Sequence, residues 1–308
     1  MDILNDILDT LALRGVLYFR TDFSAPWAIQ VPDHEQAARF HLVMQGQCHV
    51  VFDSERTADL GHGDLILIPR GRSHVLADRP GRNAAPLDEV LVKAGYDGQG
   101  VLVVGDGDPD ASTQMVCGHF SFRPGADHPL LQAMPDYFVT SADLRSQQPW
   151  LNEVLGLVAQ RMLSGQIGSQ ASATRLSEIV FIELLRLGVM QDPSLQALLE
   201  AFTDHQIGRA LSLIHADPAA AWTVEGLAQQ VGMSRSRFAE RFSALIGTAP
   251  MSYLANWRLQ KALALLDDEK VSIQQIAAQS GYQSPAAFTR AFAGKFGRPP
   301  REHRREQH

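Results

Sequence analysis

Residues 223–234 read Thr223-Val-Glu-Gly-Leu-Ala-Gln-Gln-Val-Gly232-Met-Ser234 and lead on to Phe238, Phe242, Gly247 and Pro250. Residues 272–284 repeat them as Ser272-Ile-Gln-Gln-Ile-Ala-Ala-Gln-Ser-Gly281-Tyr-Gln-Ser284, leading on to Phe288, Phe292, Gly297 and Pro300. The second copy carries one extra residue after its glycine. In each copy a hydroxyl residue, Thr223 or Ser272, precedes a short apolar-periodic run and predicts a capped helix. Gly232 and Gly281 sit where a turn needs positive φ. Ser234 and Ser284 then cap a second helix, whose phenylalanines four apart face inward. Each copy reads as a helix-turn-helix.

The inward phenylalanines fix the outward face of each second helix, the face that enters a major groove. In the first copy it carries Arg235, Ser236, Arg237, Glu240 and Arg241; in the second, Pro285, Ala286, Ala287, Thr289 and Arg290. Arginines suit bidentate bonds to guanine, and alanines suit thymine methyl groups. The competing reading, solvated surface arginines, is weakened because the motif occurs twice at constant spacing. Between the copies, Met251 to Asp267 predicts one helix of about 25 Å. Such a rod would hold two recognition helices near the ~34 Å period of a DNA turn.

Net charge is −7, but its distribution is uneven. From Asp204 onward there are 13 Lys+Arg and 9 Asp+Glu; the rest of the chain holds 14 and 25. The basic part is therefore the part with the repeats. Residues 205–305 resemble the DNA-binding domain of the AraC/XylS family of bacterial transcription regulators. The resemblance rests on Ile276-Ala277, Gly281-Tyr282, Ser284, Phe288, Phe292, Lys295-Phe296-Gly297 and Pro300, with the first motif ahead of them. It implies sequence-specific promoter binding under the control of another domain.

The remaining residues supply that domain. Short apolar stretches at 40–45, 48–53, 64–69, 88–93, 100–105 and 113–122, separated by Gly, Pro and Asp, predict strands of a sandwich or barrel. Past Pro149 the period changes, and 150–163 and 173–189 predict helices that pack on the β domain or pair with another subunit. The fold expected is multidomain α+β. A jelly-roll β-barrel sensor spans 1–128, a helical linker and dimerisation region 129–203, and an all-α tandem helix-turn-helix domain 204–308.

Gly63-Asp-Leu-Ile-Leu-Ile-Pro69-Arg-Gly71-Arg-Ser-His74 has the spacing G-x5-P-x-G-x2-H and resembles the second conserved motif of cupins, in which the histidine is a metal ligand in metal-binding members. The first cupin motif is degraded: Arg39 stands where its glutamate belongs. His41 shares a strand face with Arg39, and Cys117 shares one with His119. His41, His74, Cys117 and His119 are thus a candidate zinc set. Three alternatives stay open: hydrogen-bonded interior histidines with an inert cysteine, a Cys48–Cys117 redox pair, and an organic ligand in the barrel.

No run of eighteen apolar residues predicts a membrane span, the start lacks the pattern of a signal peptide, and two cysteines are too few for a disulfide framework. The expectation is a cytoplasmic, non-enzymatic regulator. Its partners would be double-stranded promoter DNA, a second copy of the chain, RNA polymerase, and a small-molecule, metal or redox signal. The rival reading is a cupin metalloenzyme with a DNA-binding appendage.

Overall fold

The computed structural model describes residues 2–34, 37–53, 56–98, 100–106, 111–143, 149–164, 166–188 and 192–307. Its contacts gather the chain into two units: Leu13–Phe122 with Pro135–Gln191, and Met1–Ala12 with Arg123–Met134 and Asp192–His308. Each unit is interrupted in sequence, unlike the contiguous 1–128, 129–203 and 204–308 segments read from the sequence.

The first unit is β-rich. One sheet has the order β11 (Phe138–Thr140), β6 (Leu65–Ile68), β3 (Ala37–Gln45), β10 (Thr113–Ser121), β1 (Arg14–Phe23) and β9 (Val101–Val104). The other runs β5 (Thr57–Leu60), β4 (Cys48–Val51), β7 (His74–Ala77), β2 (Ala28–Val31) and β8 (Ala85–Pro86). The strands form two sheets rather than one closed barrel. Their facing sides share a core that includes Phe23, Ile29, Val43, Val50, Ile66, Leu76, Met115 and Cys117, as expected of a jelly-roll sandwich.

The first sheet is covered on its other face by α5 (Ser169–Gly188), which pairs with α4 (Pro149–Ser164). Phe181 of α5 packs at 4.8 Å from Phe120 of β10. Gly15 lets the backbones close, since a Cβ there would meet Ser177 Oγ at 2.0 Å. Leu157 and Ile179 remain exposed on this helical pair.

The stretch 88–93, expected as a strand, is a helix, α2 (Leu87–Lys93). Asp88 and Glu89 in its first turn and Lys93 in its last suit the helix dipole. Its valines made it look like a strand, but Leu87, Val90 and Leu91 pack on the core at helical spacing while Val92 is 83% exposed. The remaining elements of this unit fall where the apolar stretches and helical periods place them. β1, β2, β5, β7, β8 and β11 come in addition.

The second unit is helical: α1 (Ile3–Leu11), α3 (Pro129–Ala133), α6 (Pro193–Thr203), α7 (Ile207–Ala216), α8 (Val224–Gln230), α9 (Arg235–Ile246), α10 (Pro250–Leu265), α11 (Ile273–Gln279), α12 (Pro285–Phe296) and α13 (Pro300–Gln307). Helix α1 joins it because one face carries Ile3, Ile7, Leu8 and Leu11, all buried. A linear reading has no means of telling which core such a stripe enters. Among the described residues no helix is long and apolar enough to cross a membrane.

Candidate DNA-reading helices and sensing cavity

The two repeats fold as two helix-turn-helix motifs, α8–α9 and α11–α12. Thr223 Oγ1 accepts from the Gly226 N–H, and Ser234 Oγ from the Arg237 N–H. Ser272 goes further: it accepts from the Gln275 N–H while Gln275 Oε1 accepts from its own, a complete capping box. Ser284 caps α12 through the Ala287 N–H. The turns pass through Gly232 at φ +67 and Gly281 at φ +73, as the turns require.

Phe238, Phe242, Phe288 and Phe292 are fully buried. Each contributes roughly 1.5–3 kcal/mol by leaving water, and together they fix which faces turn outward. On α9, Arg235, Ser236, Arg237 and Glu240 are exposed. Arg241 is half-buried and ion-paired with Asp204, which burial would raise but which its hydrogen bonds from the Ile207 and Gln206 backbone and from Arg241 hold below the usual carboxylate range. On α12, Pro285, Ala286 and Arg290 are exposed, while Ala287 and Thr289 are half-buried.

Other basic groups of this unit are engaged within it. Arg258 donates to the carbonyls of Pro218 and Ala220, Arg304 to those of Leu266 and Val271, and Lys295 pairs with Asp127.

A polar chain invisible in the sequence runs through the unit's interior. His128 Nδ1 accepts from the Leu130 N–H, so its proton sits on Nε2, which donates to Tyr253 Oη at 3.0 Å. The Tyr253 hydroxyl donates to His215 Nε2 at 2.7 Å, and His215 Nδ1 donates to the Asp6 carboxylate at 2.7 Å. Lys261 Nζ holds the other Asp6 oxygen at 2.6 Å. Burial lowers His128 to about 3, raises Tyr253, and lowers His215 against the pull of Asp6. Burial also pushes the Asp6 carboxyl up, but the bonds from His215 and Lys261 outweigh it and hold it low. Five residues from four separated stretches meet here, so no local spacing reveals them.

In the β unit a cavity of about 260 Å³ lies against the shared core. Phe23, Ile29, Val31, Leu76, Leu87 and Leu91 make most of its wall, and Thr21, Arg39, His41, Cys117 and Asp88 bring polar atoms to it. Its size is just below the usual range for drug-sized ligands, which points to a small occupant, and its mostly apolar wall with few polar groups is typical of such sites. A broader cleft of about 990 Å³, with Arg79, Arg82 and Lys93 on its walls, is open and as polar as it is apolar. The smaller, mainly apolar cavity is the stronger candidate for a sensing site.

Three of the four candidate metal ligands meet beside this cavity. His74 Nδ1 lies 2.7 Å from the Arg72 carbonyl and must donate to it, so His74 Nε2 accepts from His41 Nε2 at 2.9 Å. His41 Nδ1 is then left to accept the Cys117 thiol proton at 3.1 Å. The neutral chain fits its surroundings. Burial holds His41 well below its ordinary value and His74 at about 4, and raises the Cys117 thiol.

His119 stands opposite Arg39 in the strand register and packs against His34 at 4.9 Å. The opposite edges of one imidazole serve Cys117 and His74, so these groups form a hydrogen-bonded chain and do not converge on a point. Among the described residues no group of three or more His, Cys, Asp or Glu is gathered to hold an ion. This arrangement does not fit a tetrahedral zinc set. Cys48 and Cys117 are both free and buried, and burial raises Cys48 to about 12.

Comparison with known proteins agrees with both halves. Residues 2–189 match a family model described as cupin, and residues 227–306 match one described as a helix-turn-helix domain. A putative AraC-like transcription regulator of Streptomyces lividans is 31% identical over 307 residues, covering 99% of this chain and 98% of its own length. The HTH-type transcriptional regulator AlkR of Acinetobacter baylyi is 30% identical over 310 residues, 99% and 100% of the two chains. An uncharacterized HTH-type regulator of Haemophilus influenzae is 28% identical over 308 residues, 99% of each. The chain belongs to the AraC-like transcription regulators in which a cupin domain precedes a pair of helix-turn-helix motifs.

Proposed function

We propose that this regulator reads an asymmetric promoter sequence with its two unlike recognition helices and is controlled by a small, mainly apolar molecule held in the cupin cavity. The observation carrying the effector reading is the 260 Å³ pocket against the β core, walled by apolar side chains with a few polar groups. The asymmetry follows from the exposed faces: arginines on α9, small apolar residues beside Arg290 on α12. Loss of the cupin glutamate to Arg39 and the hydrogen-bonded state of His41, His74 and Cys117 favour sensing over the metalloenzyme alternative. A homodimer through α4 and α5 accords with the exposed Leu157 and Ile179 and the groove beside them.

The test begins with DNA sites selected by the full chain from random pools. These sites drive a reporter, which is screened against small apolar and amphiphilic compounds. Leu91→Trp and Val31→Phe, which fill the cavity, should abolish the response to any active compound. A response that survives both substitutions would place the effector elsewhere. Light scattering across a concentration series tests the dimer, and a monomer throughout refutes it.

A further inference from the structure

Two strands of the cavity wall run directly into the helical unit. β1 supplies Thr21 and Phe23 to the wall, and β10 supplies Cys117 and Gly118. The two are antiparallel neighbours, with Arg14 opposite Ser121. The start of β1 and the end of β10 therefore lie at the same edge of the pair. Upstream of β1, only Ala12 and Leu13 intervene before α1. Downstream of β10, only Phe122 precedes Arg123–Met134, which belongs to the helical unit.

Both continuations are fastened within that unit. The Arg123 N–H donates to the Leu11 carbonyl at 2.8 Å, joining the two continuations to each other. Ala12 is held at φ 52, a conformation unfavourable for a residue with a Cβ, with its N–H bonded back into α1. Asp6 anchors α1 to α7 and α10 through His215 and Lys261. Asn256 and Gln260 of α10 donate to the carbonyls of Asp127 and Gly125. α10 is the helix that connects the two DNA-reading motifs.

We infer that the β1–β10 strand pair is the route by which cavity occupancy reaches the DNA-reading helices, with α1 and residues 123–134 as its fastened ends and Asp6, His215, Tyr253 and His128 as the clamp. This rests on the effector reading of the cavity. An occupant that favours one setting of the strand pair shifts the population of helical-unit arrangements by as much as it discriminates between them.

Hydrogen–deuterium exchange of the full chain tests the route, with Leu91→Trp and Val31→Phe standing in for an occupant. Either should change exchange in residues 3–11 and 123–134 about fivefold or more. In an Asp6→Asn/Tyr253→Phe background the change should stay within the β unit. The route is overturned if those segments do not respond in the intact background, or respond equally in the unclamped one. The reporter described above separates the two ideas. A compound response that survives both filling variants overturns the effector reading on which the route rests. Changed output without a response in 3–11 and 123–134 overturns the route alone.

Discussion

His215 Nδ1 donates to the carboxylate of Asp6 across 209 positions of sequence, at 2.7 Å and with both side chains buried. The same carboxylate takes Lys261, so one acid from the N-terminal helix satisfies a histidine of α7 and a lysine of α10. Asp6→Asn keeps the shape and removes the charge, leaving the ammonium without its counterion. A loss of about 1–3 kcal/mol is expected, mostly from the buried His215 bond, since the Lys261 ammonium is partly exposed. Urea unfolding at neutral pH measures it, and an unchanged midpoint would remove Asp6 from the clamp.

Acid should destabilise the fold well before the carboxylates titrate. His74 and His128 are proton-free in the folded state, with values of about 4 and about 3, against an ordinary 6.5. Below 6.5 the unfolded chain takes up protons that the fold refuses, so stability falls with pH from there toward the folded values. At pH 5 each costs roughly 2 kcal/mol relative to neutrality. Asp6, held low, keeps its contribution above its ordinary 3.8 and loses it only as pH falls through the folded value. Denaturation midpoints at pH 7.5 and pH 5 that coincide would contradict buried neutral histidines.

The glycines of the two turns should differ sharply when changed to alanine. Both have positive φ, which costs a residue with a Cβ about 1–2 kcal/mol. Gly232 has open space around it, so Gly232→Ala should cost little beyond that. At Gly281 a Cβ would also lie 2.9 Å from Ala219 Cα and 3.0 Å from the Ala219 carbonyl oxygen and Arg258 Cζ. Two of these are backbone atoms with little freedom to yield, and Arg258 is tied to the Pro218 and Ala220 carbonyls. Thermal melts should place Gly281→Ala clearly below Gly232→Ala, and equal melting temperatures would contradict the packing.

How far the sequence could be read depended on the distance over which each feature is specified. Caps, turn glycines and inward phenylalanines of the helix-turn-helix motifs are set within a dozen residues, and Ser234, Gly281 and Phe288 do what their spacing implies. His41 and Cys117 were legible as candidate site residues from strand alternation and a family motif, but their pairing is set by the register of β3 against β10. The Asp6–His215–Tyr253–His128 chain had no such signature, because each link depends on tertiary packing. The stretch 88–93 misled for a local reason: alternating valines imply a strand only when one face is buried, and Val92 is not.

Arginines of α9 should separate by role. Arg235 and Arg237 are exposed at its N-terminal end, where side chains reach base edges. Alanine at either should weaken binding to the selected site by about 1–3 kcal/mol and relax sequence preference at one base pair. Arg241 already holds Asp204, so Arg241→Ala should act mainly on the helical unit, lowering its melting temperature more than it alters preference. Competition between selected and scrambled DNA distinguishes these outcomes. If Arg241→Ala changes base preference while Arg235→Ala and Arg237→Ala do not, the reading face is misplaced.

Neither cysteine should behave as a redox sensor in the folded chain. A reactive thiol needs access and a lowered pKa. Cys48 is fully buried and raised to about 12, and Cys117 is buried, raised, and spends its proton on His41. Attack by a thiol reagent therefore waits for opening of the fold, so modification at pH 8 should be far slower than for an unfolded thiol and should level off at the opening rate as reagent is raised. In 6 M guanidinium, a condition that unfolds most domains, both thiols should react at once. Cys117→Ser keeps a donor to His41 and should leave the fold in place, whereas His41→Ala strands the Cys117 thiol and His74 Nε2 together and should cost more. Labelling of the native chain at the rate of the unfolded one would show that one thiol is open to oxidants, and would return the redox alternative to the first rank.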